Sequence, residues 1–185
     1  MTLTKTPICD FGKKAETFEL KSVDGSTVNL ESIKGENGTL IMFICNHCPY
    51  VKAVIDDIVK DCNALKSLGV NSVAICSNDM INYPDDSFDK MIEFSSKNKF
   101  SFPYLHDETQ EVAKKFNAVC TPDFFGYNGK LELQYRGRIR ELNNLKPVSS
   151  GESDLLKAMT EVAKSGNGPK NQIPSMGCNI KWIKN

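Results

Sequence analysis

Residues 38–44, GTLIMFI, form an unbroken apolar run, and from Pro49 onward apolar residues recur every three or four positions. The first pattern is that of a short strand covered on both faces. The second, through Val51, Val54, Ile55, Ile58, Cys62, Leu65 and Leu68, is an amphipathic helix over residues 49–68 that Gly69 closes. A strand with no polar face needs a layer on each side. The chain is therefore expected to be α/β, with GTLIMFI central in its sheet.

The remaining segments agree. TFEL and STVNL flank Asp24-Gly25 as an N-terminal β-hairpin, and NSVAICS reads as a second buried strand. SFDKMIEFSSKNK and ETQEVAKKFN have the spacing of short amphipathic helices. DFFGYNGKLELQYRG reads as two strands around Asn128-Gly129, and SGESDLLKAMTEVAKSG as a helix capped near a Ser or Glu. This order describes a central mixed β-sheet with helices on both faces, built around a right-handed crossover. At 185 residues the chain fits one domain, residues 1–185, with a tail over 166–185 in which only CNIKWI offers apolar anchors.

Lys plus Arg and Asp plus Glu are both 23, so the formal net charge is zero and composition offers no argument for nucleic acid or an anionic membrane as partner. No stretch reaches the roughly 18 apolar residues of a spanning helix, and the N-terminus lacks the apolar centre of a secretory signal. Seven cysteines form an odd set without regular spacing, unlike a secreted disulfide framework. These features point to a soluble, cytoplasmic protein.

Between strand and helix lies CNHCPYV, residues 45–51. If Cys45 capped the helix, Pro49 would fall at the fourth helical position and remove the first intrahelical hydrogen bond. With Cys48 as cap, Pro49 takes the first helical position, which needs no N–H. Cys48 is then the candidate nucleophile, because unpaired helix N–H groups and the helix dipole favour a thiolate there. Cys45 can meet Cys48 across a turn in a short, strained and easily reduced disulfide. His47 either adds positive charge or is an exposed loop residue. Two readings stand against a redox role: ordinary small packing cysteines, or a metal site in which Cys120, Cys178, His47 or His106 joins Cys45 and Cys48.

CNHCPYV, SNDMINYPDD, CTPDFFGYNGKLELQYRG and GCNIKW, in that order and over nearly the whole chain, resemble the thioredoxin-like superfamily. The resemblance is to its redoxin branch of alkyl hydroperoxide reductases and thiol-specific antioxidants. It implies a thioredoxin-like fold and a cis bond at Thr121-Pro122, placed against the redox cysteine. With Cys120 two residues before that proline, the expected catalytic set is Cys48 with Cys45 and Cys120, and the expected substrate contacts are His47, Pro49, Thr121 and Pro122. Two departures stand out. Val51 occupies the place of the second thioredoxin cysteine, and Ile41 and Cys45 stand where peroxiredoxins carry Pro and Thr before the reactive cysteine. Glu16 replaces the proline expected after Ala15.

The function expected is thiol-dependent oxidoreduction, either peroxiredoxin-like antioxidant activity or thiol–disulfide exchange. Cys48 attacks a peroxide or disulfide, a second cysteine resolves the product, with Cys45 preferred to Cys120 for its shorter loop, and an external dithiol such as a thioredoxin restores the thiols. No bound cofactor is required. The alternative is a non-catalytic thioredoxin-fold binding module with structural or metal-binding cysteines. Cys62 and Cys76 read as core. Cys178 either approaches the site through the anchored tail or is simply buried. Arg136, Arg138 and Arg140 alternate as a solvated strand edge would, and His106 reads as a loop or cap neighbour.

Overall fold

The computed structural model describes residues 2–184. Strand β1 (Leu3–Lys5) precedes the hairpin of β2 (Glu19–Ser22) and β3 (Thr27–Asn29), which the single turn α1 (Leu30–Ile33) follows. β4 (Gly38–Phe43) leads through the cysteine loop into α2 (Pro49–Lys66) and on to β5 (Val70–Cys76). A 3-10 turn at Pro84–Asp86 and α3 (Phe88–Lys97) come next, then β6 (Tyr104–His106) and α4 (Glu111–Phe116). β7 (Cys120–Thr121), β8 (Asp123–Asn128) and β9 (Leu133–Tyr135) follow. The short pair β10 (Leu142–Asn143) and β11 (Lys146–Pro147), α5 (Asp154–Ser165) and β12 (Met176–Asn179) complete the chain.

The main sheet runs β3-β2-β6-β5-β4-β8-β9. β4, β5 and β6 are parallel neighbours and the outer pairings are antiparallel, so the sheet is mixed as expected. Side-chain alternation along β4 divides the core. Leu40 and Met42, with Ile44 beyond the strand, join Val51, Val54 and Ile58 of α2, Met91 of α3 and Leu155 and Met159 of α5. Ile41 and Phe43 face the other way, onto Leu30 and Ile33 of α1 and Val112 and Phe116 of α4. Burying each such side chain is worth about 1.5–3 kcal/mol. Helices therefore cover both faces of a thioredoxin-like sheet.

α2 starts as its residues require. Cys48 is the cap, with extended backbone (φ −64°, ψ 123°), and Pro49 occupies the first helical position. Gly69 lies just past the end with a left-handed φ of +75°. Ser153 caps α5, its hydroxyl accepting from Leu156 N at 2.9 Å.

Three readings of the sequence need correction. β9 begins at Leu133, three residues later than a tight Asn128-Gly129 turn allows, because the Asn128 side chain accepts from both Lys130 N (3.0 Å) and Glu132 N (3.1 Å) and builds a wider loop. The three arginines do not share a solvated strand edge. β9 ends at Tyr135, and Arg136 and Arg140 are buried against the carboxylates of Asp123 and Asp57. The tail is not merely anchored: β12 is the middle strand of a second sheet, β1-β12-β7, pairing antiparallel with both neighbours.

Candidate functional site

The buried strand β4 ends where the cysteine loop begins, so Cys45 and Cys48 lie at the top of the sheet, in contact with its core. Cys48 is 0% exposed and Cys45 1%. The Cys45 and Cys48 thiols are near enough to shift each other's ionisation, and Cys45 Sγ lies 3.4 Å from Thr121 Oγ1. The Cys48 thiol donates to the Thr121 carbonyl at 3.2 Å. The Thr121-Pro122 bond is cis and lies against the cysteine loop, as the resemblance implies.

The loop between the cysteines is clamped by a carboxylate that the sequence does not advertise. Asp86, fully buried, accepts from Asn46 N (2.8 Å) and Asn78 Nδ2 (2.8 Å) and pairs with His47 Nδ1 at 2.6 Å. The Asn46 side chain donates to Asp85 O (3.0 Å) and accepts from Tyr104 OH (2.9 Å). His47 also stacks on Tyr83, with ring centroids 5.8 Å apart. It is therefore a half-buried, acid-paired imidazole rather than a loose loop residue. A stretch of polar residues, SNDMINYPDD, was the available signal for this clamp, but nothing in it singles out Asp86.

Of the two places the sequence left open for Cys178, the structure takes the one near the site. Antiparallel pairing sets it directly opposite Thr121, and opposed residues of neighbouring strands project to the same face. Its thiol is near enough to Cys48 for the two to shift each other's ionisation. Gly177 permits this approach, since a Cβ at that position would lie 2.0 Å from the Thr121 carbonyl oxygen. Cys120, one residue off in register, sits opposite Asn179 and donates instead to Pro122 O at 3.6 Å. The structure thus brings Cys45, Thr121 and Cys178 to Cys48 and leaves Cys120 outside that contact.

These contacts act on the thiols in opposite directions. The hydrogen bond from Cys45 is the main influence holding Cys48 below its ordinary pKa, against desolvation, with further help from Cys178, Thr121 and the Val51 N–H. The Thr121 carbonyl favours the protonated form, because it accepts from the thiol. Cys45 is pushed up by serving as donor and by burial, and the Asp86 charge adds to this. Cys178 is raised to about 11, chiefly by burial and then by its bond to Cys48. His47 is raised chiefly by its hydrogen bond to Asp86. Burial pushes Cys62 and Cys76 up to about 12, in keeping with packing cysteines.

Two clefts flank the cysteine loop. One, about 510 Å³, is lined by Tyr50, Pro122, Ser175 and Met176, among others; the second, about 490 Å³, includes Asn46 and His47. Pro49, half-buried, starts the helix between them. As a metal set the site fits poorly. Donor atoms of Cys45, His47 and Asp86 lie within 4.8 Å of one another, but His47 and Asp86 are already hydrogen-bonded at 2.6 Å, and both Asp86 oxygens are engaged. His106 is packed beside Phe88, its Nε2 buried without a hydrogen-bond partner.

Residues 11–142 match the model of the AhpC/TSA family. The chain belongs to the AhpC/TSA family. That membership makes it a protein of the thiol oxidoreductase kind. Among solved structures, an uncharacterized conserved protein from Geobacillus kaustophilus is 40% identical, with a TM-score of 0.94 over 100% of this chain and 98% of that one. A hypothetical protein from Sinorhizobium meliloti 1021 is 32% identical, with a TM-score of 0.91 over 100% of both chains. A peroxidoxin from Mycobacterium tuberculosis shares the fold at 15% identity, with a TM-score of 0.60 over 84% of this chain and 96% of that one. A search of curated proteins finds no match. Within the AhpC/TSA match this chain carries Ile41 and Cys45 before Cys48, and β12 lies beyond the matched residues.

Proposed function

We propose that this AhpC/TSA protein is a Cys48-centred reductase of hydroperoxides or disulfides, recycled by an external dithiol such as a thioredoxin. The observation that carries the reading is the setting of Cys48: a buried thiol at the N-cap position of α2, set against the Thr121 carbonyl at 3.2 Å and lowered in pKa chiefly by the neighbouring Cys45 thiol. A thiolate is the attacking species in both reactions. His47, raised in pKa by Asp86, precedes it in the loop, and Thr121 with Pro122 closes the opposite side. A neighbouring thiol then displaces the leaving group from Cys48 and closes a disulfide, and no bound cofactor enters the cycle. The odd cysteine set suits a reducing cytoplasm, where the reading places antioxidant activity and redox homeostasis.

Because Cys48 is wholly covered, substrate reaches it only when a neighbouring segment moves. The test is turnover of hydrogen peroxide and of a small aromatic disulfide, with a thioredoxin system as reductant. Cys48→Ser is expected to abolish both activities. Turnover that survives this substitution would overturn the reading.

A further inference from the structure

We propose that Cys178 is the thiol that resolves oxidised Cys48, closing a disulfide between the N-terminus of α2 and strand β12. The inference rests on Cys48 being the nucleophile, as argued above.

Sequence separation favours Cys45, three residues away, but that preference belongs to the unfolded chain, where a longer loop costs more entropy to close. In the folded protein the ends are already together. Cys178 is held opposite Thr121, whose carbonyl accepts from the Cys48 thiol at 3.2 Å, so register alone sets Cys178 beside Cys48. The choice between Cys45 and Cys178 therefore falls to local freedom.

A disulfide brings two sulfurs to about 2.05 Å and sets a defined torsion about their bond. For Cys45 that adjustment must come from a four-residue loop whose centre is clamped: Asn46 to Asp86, Asp85 and Tyr104, and His47 to Asp86. Its thiol is also engaged by Thr121 Oγ1. Cys178 sits on a four-residue strand preceded by residues 166–175, which contain no helix or strand. Gly177 leaves the neighbouring backbone without a side chain. Cys178 is buried like the other two, at 5% exposed against 0% for Cys48 and 1% for Cys45. Cys45 is left as the donor that holds the thiolate.

With a hydroperoxide, the Cys48 thiolate attacks an oxygen and the O–O bond breaks; Cys48 becomes a sulfenic acid, and the departing alkoxide or hydroxide takes a proton from solvent to leave as alcohol or water. Cys178 then attacks Cys48 Sγ. The S–O bond breaks, the departing hydroxide takes the Cys178 proton as water, and the S–S bond forms. The two thiols supply the two electrons that reduce the peroxide. With a disulfide substrate, Cys178 displaces the second thiolate from the mixed disulfide on Cys48.

The test treats wild-type protein, Cys45→Ala and Cys178→Ala with one equivalent of hydrogen peroxide, blocks remaining thiols, and maps non-reduced peptides. Expected are a Cys48–Cys178 crosslink in wild type and in Cys45→Ala, and at least a tenfold rise in dimedone-trapped Cys48 sulfenic acid in Cys178→Ala. A wild-type Cys45–Cys48 crosslink that persists in Cys178→Ala without dimedone labelling overturns the assignment while sparing Cys48 as nucleophile. Oxidation that leaves Cys48 unmodified in wild type overturns both. The wild-type map decides the matter even if a variant fails to fold.

Discussion

Cys48 is lowered in pKa by a second thiol in its own loop. Cys45 is the largest influence lowering its pKa, so Cys45→Ala is expected to move the pH midpoint of Cys48 alkylation upward by about one unit or more. Cys45→Ser, which keeps a donor, should restore part of the shift. An unchanged midpoint in the alanine variant would return the role to the helix dipole. Asp86 acts one layer out. Asp86→Ala removes the acceptor of Asn46 and Asn78 and the partner of His47, and should cost about 3 kcal/mol in urea unfolding. The pH dependence of that pair follows from its sign. His47 is raised above its unfolded value, so its contribution is complete below about pH 6.5 and is lost as pH rises through the folded-state pKa. Denaturation midpoints of wild type and His47→Gln should therefore differ most near pH 6 and converge toward pH 9.

At the scale of elements, the site is a meeting of α2 with the small sheet β1-β12-β7. β7 presents Thr121, and it is braced from behind by a two-pronged pair, Arg136 Nε and Nη2 to Asp123 at 3.3 and 3.0 Å, with Nη2 also donating to Asn117 O at 2.8 Å. Arg136 lies over the Phe125 ring as well, 4.3 Å from its centre. β12 depends on close backbone approach. Gly177→Ala would drive a methyl group into the Thr121 carbonyl, and should cost about 1–3 kcal/mol as β12 is pushed away. If β12 carries the resolving thiol, the same variant slows formation of the Cys48–Cys178 crosslink. A variant as stable as wild type would show that the strand yields without loss.

Across the whole molecule, protection should follow the layering. β4 and β5 are central, parallel and covered on both faces, whereas β10 and β11 pair only with each other. Native-state hydrogen exchange is expected to be slowest in residues 38–43 and 70–76 and fastest in 142–147. Comparable rates in the two regions would contradict the division of the core described above.

Local pattern determined the elements that rest on local physics. The apolar run of β4, the helical stripe of α2 and the demand of Pro49 for a first helical position were enough to place Cys48 at the helix cap at the top of a doubly covered sheet. The cis bond before Pro122 came from resemblance, not from spacing. What the pattern did not contain was long-range partnership. Arg136 and Arg140 looked like surface charges because their carboxylates, Asp123 and Asp57, lie far along the chain. Asp86 is one of several acids in a polar stretch until folding buries it beneath Asn46 and His47. Cys178 stands 130 residues from Cys48, and only the register of β12 against β7 brings the two sulfurs together. Hydrophobic period and caps act over a few residues, whereas a buried charge or thiol is defined by whatever the folded chain places against it.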